Sequence, residues 1–226
     1  MTTKLSRLCE AFIEAGWLAV LIVTPLFFNV HSSRVFEPDK ISLMRSIALV
    51  MAAAWLVKAL NDGFGRRSGS DGNSEPRPGL WQRLRTTPLV LPTLLLVLAY
   101  LISTAFSLTP RISLMGSYQR MQGTYTTLSY IVIFFLVLGH LRRPEQWRRM
   151  VHAIILTSLP IAIYGILQHR GLDPLPWGGD VQRRVAANMG NAIFVAAYLL
   201  MAFFLTLQRT LLHFGRLLRN EEGRSS

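Results

Sequence analysis

Residues 89–107 read LVLPTLLLVLAYLISTAFS and contain no charged side chain. The hydrocarbon core of a bilayer is about 30 Å thick, and a helix needs roughly 20 mostly apolar residues to cross it. Backbone polar groups find no water in lipid, so a spanning segment of this kind must satisfy them within a helix. This stretch therefore predicts a membrane-spanning helix.

Further apolar stretches of similar length lie on both sides of it. They cover residues 11–30, 41–60, 126–141, 151–167 and 193–212. The fourth and fifth of the six stretches, 126–141 and 151–167, are short by the same rule, so we expect their helices to extend into the flanking residues. The pattern predicts an all-α polytopic membrane protein with six transmembrane helices.

The composition excludes several other classes of protein. Charged residues make up 16% of the 226 positions, whereas a soluble globular domain usually carries about 25%. The net charge is +12, but the charges lie between apolar runs, unlike the single basic face of a nucleic-acid-binding domain. The single cysteine excludes a disulfide scaffold and a Cys-based zinc finger. A lipid bilayer is therefore an expected partner, and nucleic acid is not.

The distribution of Lys and Arg predicts the orientation. Cytoplasmic loops carry an excess of these residues. With the N-terminus inside, sixteen of the 24 basic residues fall on the cytoplasmic side and seven on the outer side, and Arg45 lies within the second span. The sequence therefore predicts an N-in/C-in protein.

This topology divides the chain into four parts. The stretch 61–88 is rich in Gly, Ser, Pro and Arg, which predicts a flexible basic cytoplasmic loop. Its arginines are expected at anionic headgroups, with nucleic-acid contact as the alternative. The parts are helices 1 and 2 with an outer loop at 31–40 (residues 1–60), the basic loop (61–88), helices 3 to 6 with outer loops at 108–125 and 168–191 (89–212), and a cytoplasmic tail (213–226).

Three groups of outer-loop residues carry a resemblance to a known family. The first is Phe36-Glu37-Pro38-Asp39-Lys40, followed by Arg45, and the second is Gly116-Ser117-Tyr118-Gln119-Arg120-Met121-Gln122-Gly123. The third contains Gln168 to Gly171, Asp173-Pro174, Trp177, Arg184, Gly190-Asn191 and Tyr198-Leu199. In this order they resemble the N-terminal half of the O-antigen ligase/polymerase superfamily of bacterial inner-membrane proteins.

The resemblance implies a reaction, a location and a partner. Members of this family transfer or polymerise glycans carried on undecaprenyl diphosphate, at the outer face of the bacterial inner membrane, during lipopolysaccharide and cell-envelope synthesis. The implied partner is a polyprenyl-diphosphate-linked glycan. The resemblance implies no metal and no cofactor, and the five histidines of the chain show no metal-ligand spacing.

The resemblance also implies which residues bind the diphosphate. By this resemblance Arg184 is the first candidate and Arg120 the second, and arginine suits the role because it binds phosphate with a rigid bidentate fork. Arg45 and Lys40 are further candidate contacts. A structural role competes with each assignment: the alternative for Arg184 is to flank the sixth helix, and the alternative for Arg45 is to reach the headgroups from a shallow depth.

Other roles stay open for the neighbouring residues. Arg120 has the alternative of an ion pair with Asp173 or Asp180. Trp177 is expected in the aromatic belt at the membrane interface. No catalytic residue is assigned, because the family's general base is a histidine in the second half of its members.

Two functions therefore compete. Family members have about twice as many spans, so we expect a glycosyltransferase of this type to need a C-terminal half supplied by another chain. The alternative is a non-catalytic accessory subunit of a larger membrane complex. A transporter half is less favoured, since transporters place polar or broken helices near the midplane and the midplane of these helices is almost purely apolar.

Overall fold

The structure is a computed structural model that describes residues 3–29, 31, 36–62, 89–175, 177 and 179–222, with side chains up to residue 215. These residues form seven α-helices and no strand. The α-helices are α1 (Lys4–Leu26), α2 (Glu37–Asn61), α3 (Val90–Ala105), α4 (Pro110–Met115), α5 (Thr124–His140), α6 (Pro144–His169) and α7 (Ala192–Glu222). A 3-10 turn at Ala187–Met189 precedes α7. The predicted all-helical fold is confirmed.

Four of these helices are long and apolar enough to cross a membrane. They are α1, α2, α6 and the part of α7 up to Gly215. The helices α3 and α5 are apolar but contain 16 and 17 residues, which is short for a span of about 20 residues. The structure therefore supports a membrane protein with four candidate spans, and the six spans and their orientation stay predictions.

The helix ends differ from the ends of the predicted apolar stretches, because hydropathy marks the apolar part of a helix and not its ends. α2 begins at Glu37, inside the predicted loop 31–40, and α1 begins at Lys4 and ends at Leu26 instead of covering 11–30. α7 continues to Glu222 through most of the predicted tail. Polar residues extend a helix as long as their side chains reach water or headgroups.

The start of α6 illustrates a terminus set by local chemistry. Pro144 occupies the first turn, where its fixed φ and missing N–H suit a helix start. The side chain of Gln146 accepts hydrogen bonds from the backbone N–H groups of Arg142 and Arg143, at 3.0 and 3.1 Å. The predicted basic loop beyond Asp62, at 63–88, and residues 223–226 of the predicted tail lie outside the described residues.

The chain forms two compact units. The first contains Met1–Trp17 and Ile41–His140. Its buried core includes Ile13, Trp17, Met44 and Met51, and Gly16 allows close packing because a Cβ there would overlap the side chain of Met51. In the same unit α3, α4 and α5 pack together.

The second unit contains Leu18–Lys40 and Leu141–Ser226. In it α6 packs on α7 and on the 3-10 turn before α7. The core is formed by Ile161 of α6, Ala187 of the turn and Val195 of α7. This packing holds the segment between α6 and α7 against the start of α7.

Candidate functional site

The second unit contains a cavity of about 610 Å³. Its walls come from the segments 179–186 and 190–193 and from the aromatic side chains of Phe36 and Trp177. Ligand pockets typically measure about 300–1,000 Å³. The cavity is therefore large enough for a small-molecule headgroup.

Two adjacent arginines line this cavity, Arg183 and Arg184. Both side chains are exposed, and no residue in the described ranges forms a hydrogen bond or an ion pair with either guanidinium. Asp180 stabilises the turn before the two arginines. Its Oδ1 accepts a hydrogen bond from the backbone N–H of Arg183 at 3.1 Å, and its carbonyl oxygen accepts one from the backbone N–H of Arg184 at 3.0 Å. Two guanidinium groups thus keep their donors available for an anion.

The start of α7 adds a further positive element. Asn191 precedes the helix, and its Oδ1 accepts the N–H of Ile193 at 2.9 Å, as an N-cap residue does. Ala192 and Ile193 also line the cavity. The aligned peptide dipoles place roughly half a positive charge at a helix N-terminus. The end of the cavity at the start of α7 therefore attracts an anion, and so do the two arginines.

Stacked aromatic rings form the apolar side of the cavity. Trp177 stacks on Phe36 with ring centroids 5.2 Å apart and an interplanar angle of 17°. The stack continues from Phe36 to Phe28 at 6.4 Å and from Phe28 to Tyr164 at 6.0 Å. Four rings therefore form one continuous stack, which we call the aromatic stack.

Asp173 joins the two ends of the aromatic stack. Its Oδ2 accepts hydrogen bonds from the Tyr164 hydroxyl at 2.8 Å and from the Trp177 indole N–H at 2.6 Å. The same oxygen accepts the Nε2–H of Gln168 at 3.2 Å, and Oδ1 accepts the backbone N–H of Leu175 at 3.1 Å. Burial alone would raise the pKa of Asp173, but these four donors stabilise the carboxylate and bring its pKa below the usual value.

Replacing Asp173 with asparagine is expected to lower the melting temperature in detergent by about 3–6 °C at pH 7, because an amide cannot accept all four hydrogen bonds. A carboxylate with a lowered pKa stabilises the fold fully above its unfolded pKa of about 3.9, and this contribution is lost as the pH falls through the folded pKa. The difference in melting temperature between wild type and Asp173→Asn should therefore become smaller below about pH 4. Thermal unfolding followed by intrinsic fluorescence measures this difference.

The matched control for this variant is Asp180→Asn in the same segment. The single backbone hydrogen bond accepted by the Asp180 side chain can also be accepted by an amide oxygen. Its melting temperature should stay within about 2 °C of wild type at pH 7. A gap for Asp173→Asn that stays constant from pH 7 to pH 3 would contradict the stabilising role of the ionised carboxylate.

Two further residues hold the walls of the cavity in place. Gln168 is fully buried, and its Oε1 accepts the backbone N–H groups of Ala186 and Ala187 at 2.9 and 2.8 Å. Gly190 has a φ of +74°, and a Cβ at this position would overlap the ring of Phe36. The ring can therefore lie directly against the backbone that leads into α7.

Lys40, a predicted diphosphate contact, is bonded to backbone carbonyls. Its ammonium donates to the carbonyl of Pro25 at 3.0 Å and to that of Asn188 at 2.9 Å. Asn188 also donates from its side chain to the carbonyls of Pro25 and Leu26, at 2.6 and 3.0 Å. Both side chains thus satisfy carbonyls at the C-terminal end of α1, and Lys40 does not line the cavity.

Arg45, a second predicted contact, lies in the first unit and is 6% exposed. Its Nη2 donates to the carbonyls of Met115 at 2.9 Å and Met121 at 2.6 Å, and its Nε donates to Thr126 Oγ1 at 2.9 Å. The guanidinium also lies 4.6 Å from the centre of the Tyr125 ring. These contacts join α2 to both ends of the loop between α4 and α5, so the structure gives Arg45 a positioning role.

Arg120 lies on that loop. Gly116, with a φ of +87°, and Gly123 approach each other so closely that a Cβ on either one would overlap backbone atoms. The loop therefore closes on itself. Arg120 is exposed on it, and no described residue of the first unit forms a hydrogen bond or an ion pair with its guanidinium.

Two of the four predicted contacts, Arg184 and Arg120, have no hydrogen-bond or ion-pair partner among the described residues. Arg184 lines the cavity of the second unit, and Arg120 is exposed in the first, whereas Lys40 and Arg45 use their donors within the fold. The sequence prediction missed Arg183, although it is adjacent to Arg184, and assigned no ligand contact to Phe36 or Trp177. Among the described residues, no three His, Cys, Asp or Glu side chains lie close enough together to bind a metal.

Comparisons of the chain with protein-family models, with curated proteins and with solved structures found no match.

Proposed function

We propose that this chain binds the diphosphate of a polyprenyl-diphosphate-linked glycan and acts as part of a glycosyltransferase of the O-antigen ligase type in the bacterial inner membrane. The observation that carries this proposal is the pair Arg183 and Arg184, which line a cavity of about 610 Å³ and whose guanidinium groups have no partner among the described residues.

The charges of the cavity suit a diphosphate. The lining contains two guanidinium groups and the carboxylate of Asp180, and the N-terminus of α7 adds partial positive charge. Each guanidinium can donate two parallel hydrogen bonds to phosphate oxygens. Two adjacent arginines can therefore bind the two phosphates of one diphosphate.

The long apolar helices suit the lipid part of the same ligand. Helices such as α6 and the apolar part of α7 are long enough to cross a bilayer and leave most of their surface exposed. A polyprenyl chain needs an apolar medium, and a bilayer around these helices supplies it. The combination of a cationic cavity with apolar helices favours a lipid-linked diphosphate over a soluble one.

The same cations would also assist transfer. When the glycosidic carbon separates from the carrier, negative charge increases on the leaving diphosphate. Fixed cations bind this charge more strongly in the transition state than in the ground state, which lowers the barrier. Arg120, whose guanidinium is exposed in the first unit, stays the second diphosphate contact that the resemblance implies.

The test compares four probes on the purified chain in nanodiscs: undecaprenol, undecaprenyl monophosphate, undecaprenyl diphosphate and inorganic pyrophosphate. We expect the diphosphate lipid to bind at least about tenfold more tightly than the monophosphate, because a second phosphate adds charge-assisted hydrogen bonds. We expect undecaprenol to bind least tightly of the three lipids. Equal affinity for undecaprenol and undecaprenyl diphosphate would refute the proposal and favour the accessory-subunit alternative.

A further inference from the structure

We infer that Phe36, Trp177 and Asp180 form a subsite for the first sugar of the carrier-linked glycan, beside the arginines that bind the diphosphate. This inference rests on the proposed function, since it assigns the remainder of the same cavity. The first sugar of such a carrier is bonded directly to the terminal phosphate. A cavity that binds the diphosphate must therefore also accommodate this sugar.

The aromatic side of the cavity has the chemistry that a sugar ring requires. One face of a hexose presents mainly C–H bonds, which carry partial positive charge at hydrogen. Aromatic rings carry negative charge on their faces, so C–H bonds of a sugar are attracted to them. Phe36 and Trp177 line the cavity. Phe36 lies between Phe28 and Trp177 in the aromatic stack and supports the indole, whereas Trp177 ends the stack and has no second stacking partner among the described residues. A bare diphosphate has no apolar surface to place against the indole.

Asp180 supplies the polar contact. A carboxylate in a site that binds only an anion would weaken binding by repulsion, yet Asp180 lines this cavity. Its Oδ1 accepts the N–H of Arg183, and its Oδ2 has no hydrogen-bond partner among the described residues. Sugar hydroxyls are good donors to such an oxygen, so a glycan explains a carboxylate that a diphosphate alone does not.

The aromatic side is also held rigidly. Trp177 is fixed by its indole hydrogen bond to Asp173 and by its stacking on Phe36. Asp173 also binds Tyr164 at the opposite end of the aromatic stack. Side chains held in this way lose little conformational entropy when a ligand binds. Asp173 is thus a positioning residue for the subsite.

The test measures the ratio of two affinities in nanodiscs. Undecaprenyl diphosphate is compared with its glucosyl, galactosyl and N-acetylglucosaminyl derivatives. We expect at least one derivative to bind about five- to tenfold more tightly than the bare carrier, which is the range for one or two aromatic contacts. Trp177→Leu and Phe36→Leu should each bring this ratio close to one, because each lowers the affinity for the sugar derivative more than the affinity for the bare carrier.

Further variants separate the causes. Asp180→Asn should reduce the ratio about threefold, and Phe194→Leu, an exposed phenylalanine of α7 outside the cavity lining, should leave it unchanged. A ratio of one for all three derivatives in the wild type would overturn the sugar subsite, and so would equal loss of both affinities in Trp177→Leu and Phe36→Leu. In contrast, loss of the preference for diphosphate over undecaprenol would refute the proposed function itself.

Discussion

Replacing both Arg183 and Arg184 with alanine is expected to weaken the binding of undecaprenyl diphosphate about a hundredfold at low ionic strength. Each substitution removes charge-assisted hydrogen bonds to a phosphate, and one such contact typically contributes about tenfold in affinity. Both guanidinium groups are exposed and free of partners among the described residues. Their loss should therefore not unfold the protein, and the affinity can be measured on the intact variant in nanodiscs.

Two control variants make this experiment specific. Arg170→Ala removes an exposed arginine of the same unit that does not line the cavity, and its affinity should stay within about twofold of wild type. The double lysine variant, Arg183→Lys with Arg184→Lys, keeps the charge but loses the planar, bidentate guanidinium. We therefore expect its affinity for undecaprenyl diphosphate to fall about tenfold. Raising the salt concentration should reduce all of these differences, because exposed charges are screened. If the double alanine variant binds as tightly as Arg170→Ala, the arginines are not the diphosphate site.

Replacing Arg45 with methionine is expected to lower the free energy of unfolding by about 2–4 kcal/mol. Methionine fills part of the same space but leaves the carbonyl of Met115 without its side-chain donor, and the carbonyl of Met121 keeps only the hydroxyl of Thr126. Removing one partner of a buried, hydrogen-bonded charged group leaves the other partners unsatisfied, which costs more than the net value of the bonds. The loop between α4 and α5 should at the same time become a preferred site of limited proteolysis.

The measurement is denaturant-induced unfolding in detergent, combined with mapping of the protease cleavage sites. Arg111→Met is the matched control, because Arg111 is an exposed residue of the same unit and its loss should change stability by less than about 0.5 kcal/mol. Arg45→Lys should be nearly as unstable as Arg45→Met, because an ammonium cannot reproduce the planar contacts with the two carbonyls and with Tyr125. If Arg45→Met lowers the free energy of unfolding as little as Arg111→Met does, Arg45 does not have the positioning role.

The sequence predicted the helices better than their ends. Six apolar runs became six of the described helices, but the boundaries at Glu37 and Glu222 lie in polar sequence that hydropathy does not recognise. The short helix α4 and the 3-10 turn before α7 were not predicted, since each is set by contacts with the rest of its unit.

The candidate site was predicted only in part. Arg184 was selected first and lines the cavity, but the sequence offered no signal that the donors of Lys40, a further candidate, are used within the fold. Lys40 is bonded to a carbonyl 148 positions away. Trp177 was expected as a membrane-interface residue, and its hydrogen bond to Asp173 depends on how the segment after α6 folds back.

The sequence by itself determined that the chain is helical and that its longest helices can cross a membrane. This is because lipid requires each spanning segment to satisfy its own backbone, a property that is local to roughly 20 residues. Only the tertiary structure decided which basic side chains are free to bind a ligand. A cation is free or occupied according to the carbonyls that the fold places around it, and for Lys40 and Arg45 those carbonyls come from distant parts of the chain.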